Sequence, residues 1–487
     1  MMFEAKRLHP IAIVLNALKI VKDTILPLIA VLLFQGSRSS DYYELIFLGI
    51  YLVGSIVYGT LAWFKFTYRI EDGEIRIDQG IFIKKKRYIR LERIQSIDVT
   101  EGILQRLFSL VKVTIDTAGS AKQQAEAVLT AIPKHEAELF QSILDEAKRG
   151  KIEVSNQDAD VTTDESTPIV KEEKILFQMS FKELFVMGAT SGGVGIVFSG
   201  ALALFSQFVQ FIEFDKVYSK LEAMVTVASW LFIVLIVIIV LSLAYLIATI
   251  GIILKYAYFT VKKSSNEIVI TRGLLERRQF TISSNKIQAI RVVENLIRQP
   301  LGYATVYVET ASGSVSDSEN AKVMLFPLIK KRHLASFLEK VTDDYAVDVT
   351  MKAVPKRALR RYMIRECYWW VPIIAILIYF FRPLGFGSMV LLIVGLLWGY
   401  LSYREAGWNL KNQQLTLTYR AFSKQTYIVR KKRIQSMKTR QSLFQKRRKL
   451  GTLSVYSKTG LGPSRGRVLD ISEEDLLHIR NWFQRKV

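Results

Sequence analysis

Apolar runs and alternating apolar–polar stretches follow one another three times along this chain. Residues 24–37 and 45–64 are uncharged, as are 184–212 and 223–254, then 367–381 and 383–403. A membrane-spanning helix needs about 20 apolar residues, and these runs predict six spans in three hairpins, over 11–64, 184–254 and 367–403. The first run is short. It has to borrow residues 11–21 and let Lys19 and Lys22 snorkel to the interface. Gly192, Gly193, Gly195 and Gly200 suit close helix packing, and Trp369 and Trp370 lie where an interfacial aromatic belt is expected.

After each hairpin the period changes to two, the mark of a half-buried strand. Ile75 to Asp78 alternates, Gln79-Gly80 turns, Ile81-Phe82-Ile83 and Tyr88 to Leu91 resume, and Val111 to Asp116 alternates again. The second copy has Glu267 to Ile270, Phe280 to Ile282 and Thr305 to Thr310; the third has Gln414 to Thr418, Thr426 to Val429 and Leu453 to Ser457. Short strands with Gly-containing turns predict a small antiparallel barrel or sandwich. An amphipathic helix closes each copy: from Pro133 with Ala137 and Phe140, from Pro327 with Leu334 and Leu338, and after the N-cap Ser472 with Leu476 and Ile479. Each closing helix is expected to plug its barrel. The predicted fold is an α+β membrane protein, with β modules over 65–150, 255–345 and 404–487 and an acidic linker over 151–174.

One landmark fixes the repeat. Ile94-Gln95-Ser96 returns as Ile287-Gln288-Ala289 and Ile434-Gln435-Ser436, with Glu101, Glu294 and Gln441 at equal distance beyond it.

Charge adds a second constraint. With 67 Lys and Arg against 44 Asp and Glu, the net charge is +23, which in a soluble chain would suggest nucleic acid. Here half the residues are apolar and mean hydropathy is +0.21, so the basic excess reads instead as the cytoplasmic face of a membrane protein, and no nucleic-acid partner is expected. Basic residues flank the outer ends of the hairpins and are sparse in their connecting loops, which places both termini and all three β modules in the cytoplasm. The one cysteine, Cys367, excludes an intramolecular disulfide and a cysteine-built metal site.

A transmembrane hairpin leading into Gln79-Gly80-Ile81, Arg93-Ile94-Gln95-Ser96 and Thr117-Ala118-Gly119 resembles the bacterial pleckstrin-homology (PH) family of membrane-flanking domains. Copy two carries Arg272-Gly273-Leu274, Lys286-Ile287-Gln288-Ala289, Leu301-Gly302 and Thr310-Ala311-Ser312-Gly313. Copy three departs, with Arg420-Ala421 for the glycine and Lys458-Thr459-Gly460 at the late turn. The resemblance implies PH-like barrels with a C-terminal helix, no catalytic residues, and a shorter single-copy membrane protein of the same family as first partner; it leaves a homo-oligomer open.

Candidate chemistry is correspondingly thin. Lys84-Lys85-Lys86-Arg87 and Arg430-Lys431-Lys432-Arg433 are candidate contacts for anionic membrane lipids, placed in equivalent parts of copies one and three, and Lys446 to Lys449 is a third basic run. Gly460 to Gly466 lacks the Gly-Lys-Ser/Thr ending of a phosphate loop and reads as a hairpin. His9, His135, His333 and His478 have no metal-ligand spacing, no catalytic motif appears, and neither metal nor cofactor is expected. The expected function is a non-catalytic, multi-pass plasma-membrane scaffold that docks protein partners in envelope maintenance or tolerance of membrane-active agents. The alternative is a lipid-binding or lipid-handling protein, for which a large apolar cavity open to the bilayer would be the sign.

Overall fold

The computed structural model describes residues 5–21, 41–117, 127–140, 174–191, 228–310 and 322–484, apart from 72, 265–266, 343–344, 347–348, 383 and 460–461. Unit one has strands β1 (Thr67–Glu71), β2 (Glu74–Gln79), β3 (Lys85–Arg90), β4 (Ile94–Glu101), β5 (Leu110–Thr117) and β6 (Ala127–Pro133). Unit two has β7 (Lys174–Gln178), β8 (Thr260–Ser264), β9 (Glu267–Arg272), β10 (Arg277–Ser283), β11 (Ile287–Glu294), β12 (Tyr303–Thr310) and β13 (Lys322–Lys330). Unit three has β14 (Lys352–Ala353), β15 (Gly407–Lys411), β16 (Gln414–Arg420), β17 (Lys424–Arg430), β18 (Ile434–Arg440), β19 (Leu450–Thr459) and β20 (Gly462–Ser472).

In each unit two antiparallel layers face one another across a filled core. In unit one Ile75, Ile77 and Ile89 of the first layer meet Ile97, Val113 and Leu129 of the second, because alternate residues of a strand share one face. The closing helices pack as expected, Leu334 and Leu338 entering the second core and Leu476 and Ile479 the third.

The expected closed barrels are not formed; none of the four sheets closes on itself among the described residues. Their orders are β1-β2-β3, then β6-β5-β4-β10-β9-β8-β7, then β13-β12-β11-β17-β16-β15-β14, and last β18-β19-β20. The second layer of one unit therefore continues into the first layer of the next. β4 pairs with β10, and β11 with β17, both antiparallel. Pairing satisfies backbone groups that a lone edge strand would leave open, so the three units form one row.

The Ile-Gln landmark is explained by this arrangement. In all three copies the register slips across the glutamine, between Ile94 and Ser96, Ile287 and Ala289, and Ile434 and Ser436. Gln95, Gln288 and Gln435 are the extra residues of β-bulges, which bend a strand and raise its twist. The isoleucine before each is buried. The repeat marks a corner, not a reactive site.

Among the described residues, three helical segments are long and apolar enough to cross a membrane, Val237–Tyr256, Lys356–Phe380 and Gly385–Glu405. A helix over Asp41–Phe64 matches the second expected run. In the third, the helix Phe181–Ala189 starts on a Ser180–Glu183 capping box and ends where the Thr190 N–H and hydroxyl both donate to the Val186 carbonyl. The run over 24–37, its neighbours to residue 40, and the glycines 192, 193, 195 and 200 lie outside the described residues. Gly399 lets the last two of these helices touch, since a Cβ there would lie 2.7 Å from the Met363 Cα.

A bridge in unit one, and a strand in units two and three, precedes each expected hairpin, which the periodicity did not predict. Lys6 bridges to Tyr68, β7 pairs with β8, and β14 with β15. Lys174, expected as the last linker residue, is the first of β7; the rest of the linker lies outside the described residues. The upstream segment of unit one is tied further by Glu136, whose carboxylate accepts from Lys6 Nζ and from the Tyr68 hydroxyl, each at 2.7 Å. Burial pushes the Glu136 carboxyl up, but hydrogen bonds from Lys6 and Tyr68 more than offset it and hold the group below the usual carboxylate range. A depressed folded-state value stabilises above the unfolded value, near 4.5, and that contribution is lost as pH falls through the folded value. Acidification below about pH 4.5 is accordingly expected to lower the protection of the Lys6 and Tyr68 amides relative to their intrinsic exchange rates; Glu136→Gln should remove that pH dependence of protection, and an unchanged profile would show that the tie contributes nothing.

Candidate membrane-facing rim and seams

Strand register gives every unit two ends. Thr67, which follows the helix ending at Phe64, lies opposite Asp78, and Gln79 opposite Lys85. The β2–β3 tip thus returns to the end where the helix exits. Gly273 and Leu274 at the equivalent tip donate to the carbonyls of Ala257 and Leu254, at the end of the helix Ala228–Tyr256. At the third tip Arg420 pairs with Glu405, the last residue of the helix Val390–Glu405, at 2.6 and 2.8 Å.

These tips are apolar and uncovered. Phe82 is 93% exposed and Phe422 87%, with Ile83, Leu274 and Leu275 also exposed. The short helices after β4 and β18 lie at the same end and expose Ile103, Leu107, Leu443 and Phe444, and the turn after β11 exposes Leu296 and Ile297. Side chains of this kind beside basic ones match the apolar and cationic character of a membrane interface. Glycine is needed at two tips: Gly80 and Gly273 have φ of +113° and +105°, and a Cβ would lie 2.0 Å from a carbonyl oxygen.

The two predicted basic clusters part company here. Lys84, Lys85, Lys86 and Arg87 leave the first tip at the helix-exit end. Arg430, paired with Gln414, ends β17 at the opposite end, and Lys431, Lys432 and Arg433 follow it in a short turn. Their equivalence in the repeat is therefore corrected: the residue matching Lys84 is Lys424. Arg433 donates to the Asn285 carbonyl of unit two, as Lys286 donates to the Ile94 carbonyl of unit one at 3.2 Å, and Lys431 stands over Trp482. The basic residue before each later landmark is thus a tie to the preceding unit. In unit three the basic run that reaches the rim is Lys446 to Lys449, at the short helix after β18.

Sequence reasoning missed the seams. Across the second, Arg291 is buried: Nε donates to Glu309 at 2.8 Å, Nη1 to Tyr419 and Gln425 at 2.7 Å, and Nη2 to Ser464 at 2.9 Å and the Arg465 carbonyl at 3.3 Å. Its guanidinium lies 4.8 Å from the centroid of the Tyr427 ring, and Gly466 is what lets that ring pass, a Cβ there reaching to 2.4 Å. The stretch read as a hairpin, Gly460 to Gly466, belongs from Gly462 on to strand β20. Nearer the helices, Arg420 also bonds Gln299, and Arg106 donates to the Leu274 carbonyl across the first seam at 3.3 Å.

Comparison with known proteins agrees with this repeat. Residues 17–148, 208–344 and 369–487 each match the bacterial PH domain family. A transmembrane protein of Bacillus subtilis (strain 168), YdbT, is 37% identical over 99% of both chains. No solved structure matches. The relative's description, the triple match and the apolar helices together make this a membrane protein of a family not known for catalysis, and the chain belongs to the bacterial PH domain family, carrying its domain three times.

Proposed function

We propose that the chain is a non-catalytic scaffold in the plasma membrane, with six spans in three hairpins and a rigid cytoplasmic row of PH-like units that docks protein partners. The observation that carries this is the edge-to-edge continuation of the sheets, which fixes three similar surfaces at set spacing. Pairing of β7 with β8 and of β14 with β15 requires the chain to leave and re-enter on one side, which supports paired spans. The basic flanks favour the cytoplasm for that side. The first partner to consider is a shorter single-copy membrane protein of the same family, and the process served is envelope maintenance or tolerance of membrane-active agents. Among the described residues, a cleft of about 260 Å³ is lined by Tyr256, Phe280 and Met324 with Arg272 and Lys322, and one of about 370 Å³ by Met351 and Leu401 with Arg404, Glu405 and Lys424.

The rim gives this reading an orientation. Lys84 at the first tip and Lys446 to Lys449 at the last would meet anionic headgroups, whereas Arg433 would stand in water. Spin labels at positions 82, 422 and 433 of a Cys367→Ser chain in liposomes should report lipid-like oxygen accessibility at the first two and aqueous accessibility at the third; equal aqueous values would sink the orientation. The docking reading is tested by crosslinking in native membranes followed by purification. A stoichiometric membrane protein is expected, and recovery of lipid alone would overturn it.

A further inference from the structure

The row ends in two strands that lack the partner their counterparts have. Among the described residues β3 pairs only with β2, although its equivalents β10 and β17 each pair with a second unit, and β18 pairs only with β19, although β4 and β11 each have a second neighbour. The internal seams supply the register such an edge would accept. Lys84, Arg277 and Lys424 each stand ten residues before the Ile-Gln landmark, and Glu101, Glu294 and Gln441 seven after it. Arg277 lies opposite Glu101 and Lys424 opposite Glu294, the latter an ion pair at 3.5 Å.

A second copy fits this edge badly. In the seam register, β18 of one molecule against β3 of another sets Lys84 opposite Gln441, Lys85 opposite Arg440 and Arg87 opposite Lys438. Neither internal seam has two basic residues opposite one another. Like charges directly across a ladder destabilise it, and lysine on an edge strand is a common guard against open-ended assembly.

We propose that the β3 edge is a strand-addition site that accepts an antiparallel strand of a different protein, one with carboxylates opposite Lys84 and Arg87, and that it rejects a second copy of this chain. Backbone hydrogen bonds supply affinity and the paired charges supply choice of partner. The inference deepens the docking reading and rests on it.

The test uses the full chain in nanodiscs of zwitterionic lipid. The probe is a synthetic octapeptide with the chain's own β4 sequence, Ile94 to Glu101, which brings Asp98 opposite Arg87 and Glu101 opposite Lys84; the control peptide has lysine at both acids. The acidic peptide should slow amide exchange across residues 85–90 and bind at least ten-fold more tightly than the control, and Lys84→Glu with Arg87→Glu should invert that order. Protection of 277–283 reports that the internal seam is intact, and if the double variant loses it, Lys84→Glu alone carries the comparison. The site is overturned if neither peptide protects β3 or if both do equally. It is also overturned if mass grows with concentration while β3 and β18 become protected together, or if anionic lipid alone protects the basic run and abolishes peptide binding. In the membrane purification, a partner recovered equally with the Lys84→Glu chain removes this site and leaves the docking reading; no partner from either chain removes the docking reading itself.

Discussion

Replacing Arg291 with methionine is expected to cost about 3–5 kcal/mol of stability, because it strands a buried carboxylate. Glu309 is fully buried and its ion-pair partner is the Arg291 guanidinium. The same substitution removes hydrogen bonds to Tyr419, Gln425 and Ser464, all in unit three, so the loss should appear as separation of units two and three. Denaturant unfolding of the detergent-solubilised protein, read by exchange at β11 and β17, checks both magnitude and place. Arg291→Met with Glu309→Leu should recover most of the loss, since an apolar pair of similar volume needs no buried counter-charge. A single variant within about 1 kcal/mol of wild type would mean that water or rearrangement satisfies Glu309.

Gly273→Ala is the second large effect expected, at about 1–3 kcal/mol, from a side chain forced into a left-handed backbone. The cost has a contact as well as a conformational part, since the new Cβ would meet the Glu276 carbonyl at 2.0 Å. The tip would have to open, breaking the hydrogen bonds from Gly273 and Leu274 to the end of the helix Ala228–Tyr256. Faster exchange at Leu274 with little change at β12 would confirm a local effect. The reverse change at the third tip, Ala421→Gly, should be almost silent, because that tip is not built on a residue with positive φ.

That contrast shows what the amino-acid pattern carried and what it did not. Gly80 and Gly273 were legible as turn residues, and the copy-three departure at Arg420-Ala421 was legible as a difference. Its reason was not, since Arg420 bonds Glu405 and Gln299, residues remote in sequence. Periodicity placed the strands because alternation is local, but it could not say that β4 is shared with β10, which depends on which edges meet. Short strands with Gly-containing turns left barrel and sandwich open, and the two facing layers fit the second, because closure depends on which edges meet. The basic runs were visible, yet only register separates Lys84 at the helix-exit end from Arg433 at the far one. Phe82 and Phe422 offered a signal that was passed over: large apolar residues in turns, where water-facing loops rarely put them.

The strand before the second and third expected hairpins carries a consequence for synthesis. Residues 179–259 lie between β7 and β8, so the ribosome makes β7 long before its partner exists. On the proposed topology of paired spans, a hairpin inserted with one crossing too few would leave the two strands on opposite sides of the bilayer, and the unit could not assemble. Pairing would then work as a checkpoint on membrane insertion, passed hairpin by hairpin. Until the next unit emerges, β4 and then β11 wait with an open edge, so a nascent chain that stalls remains recognisable as unfinished.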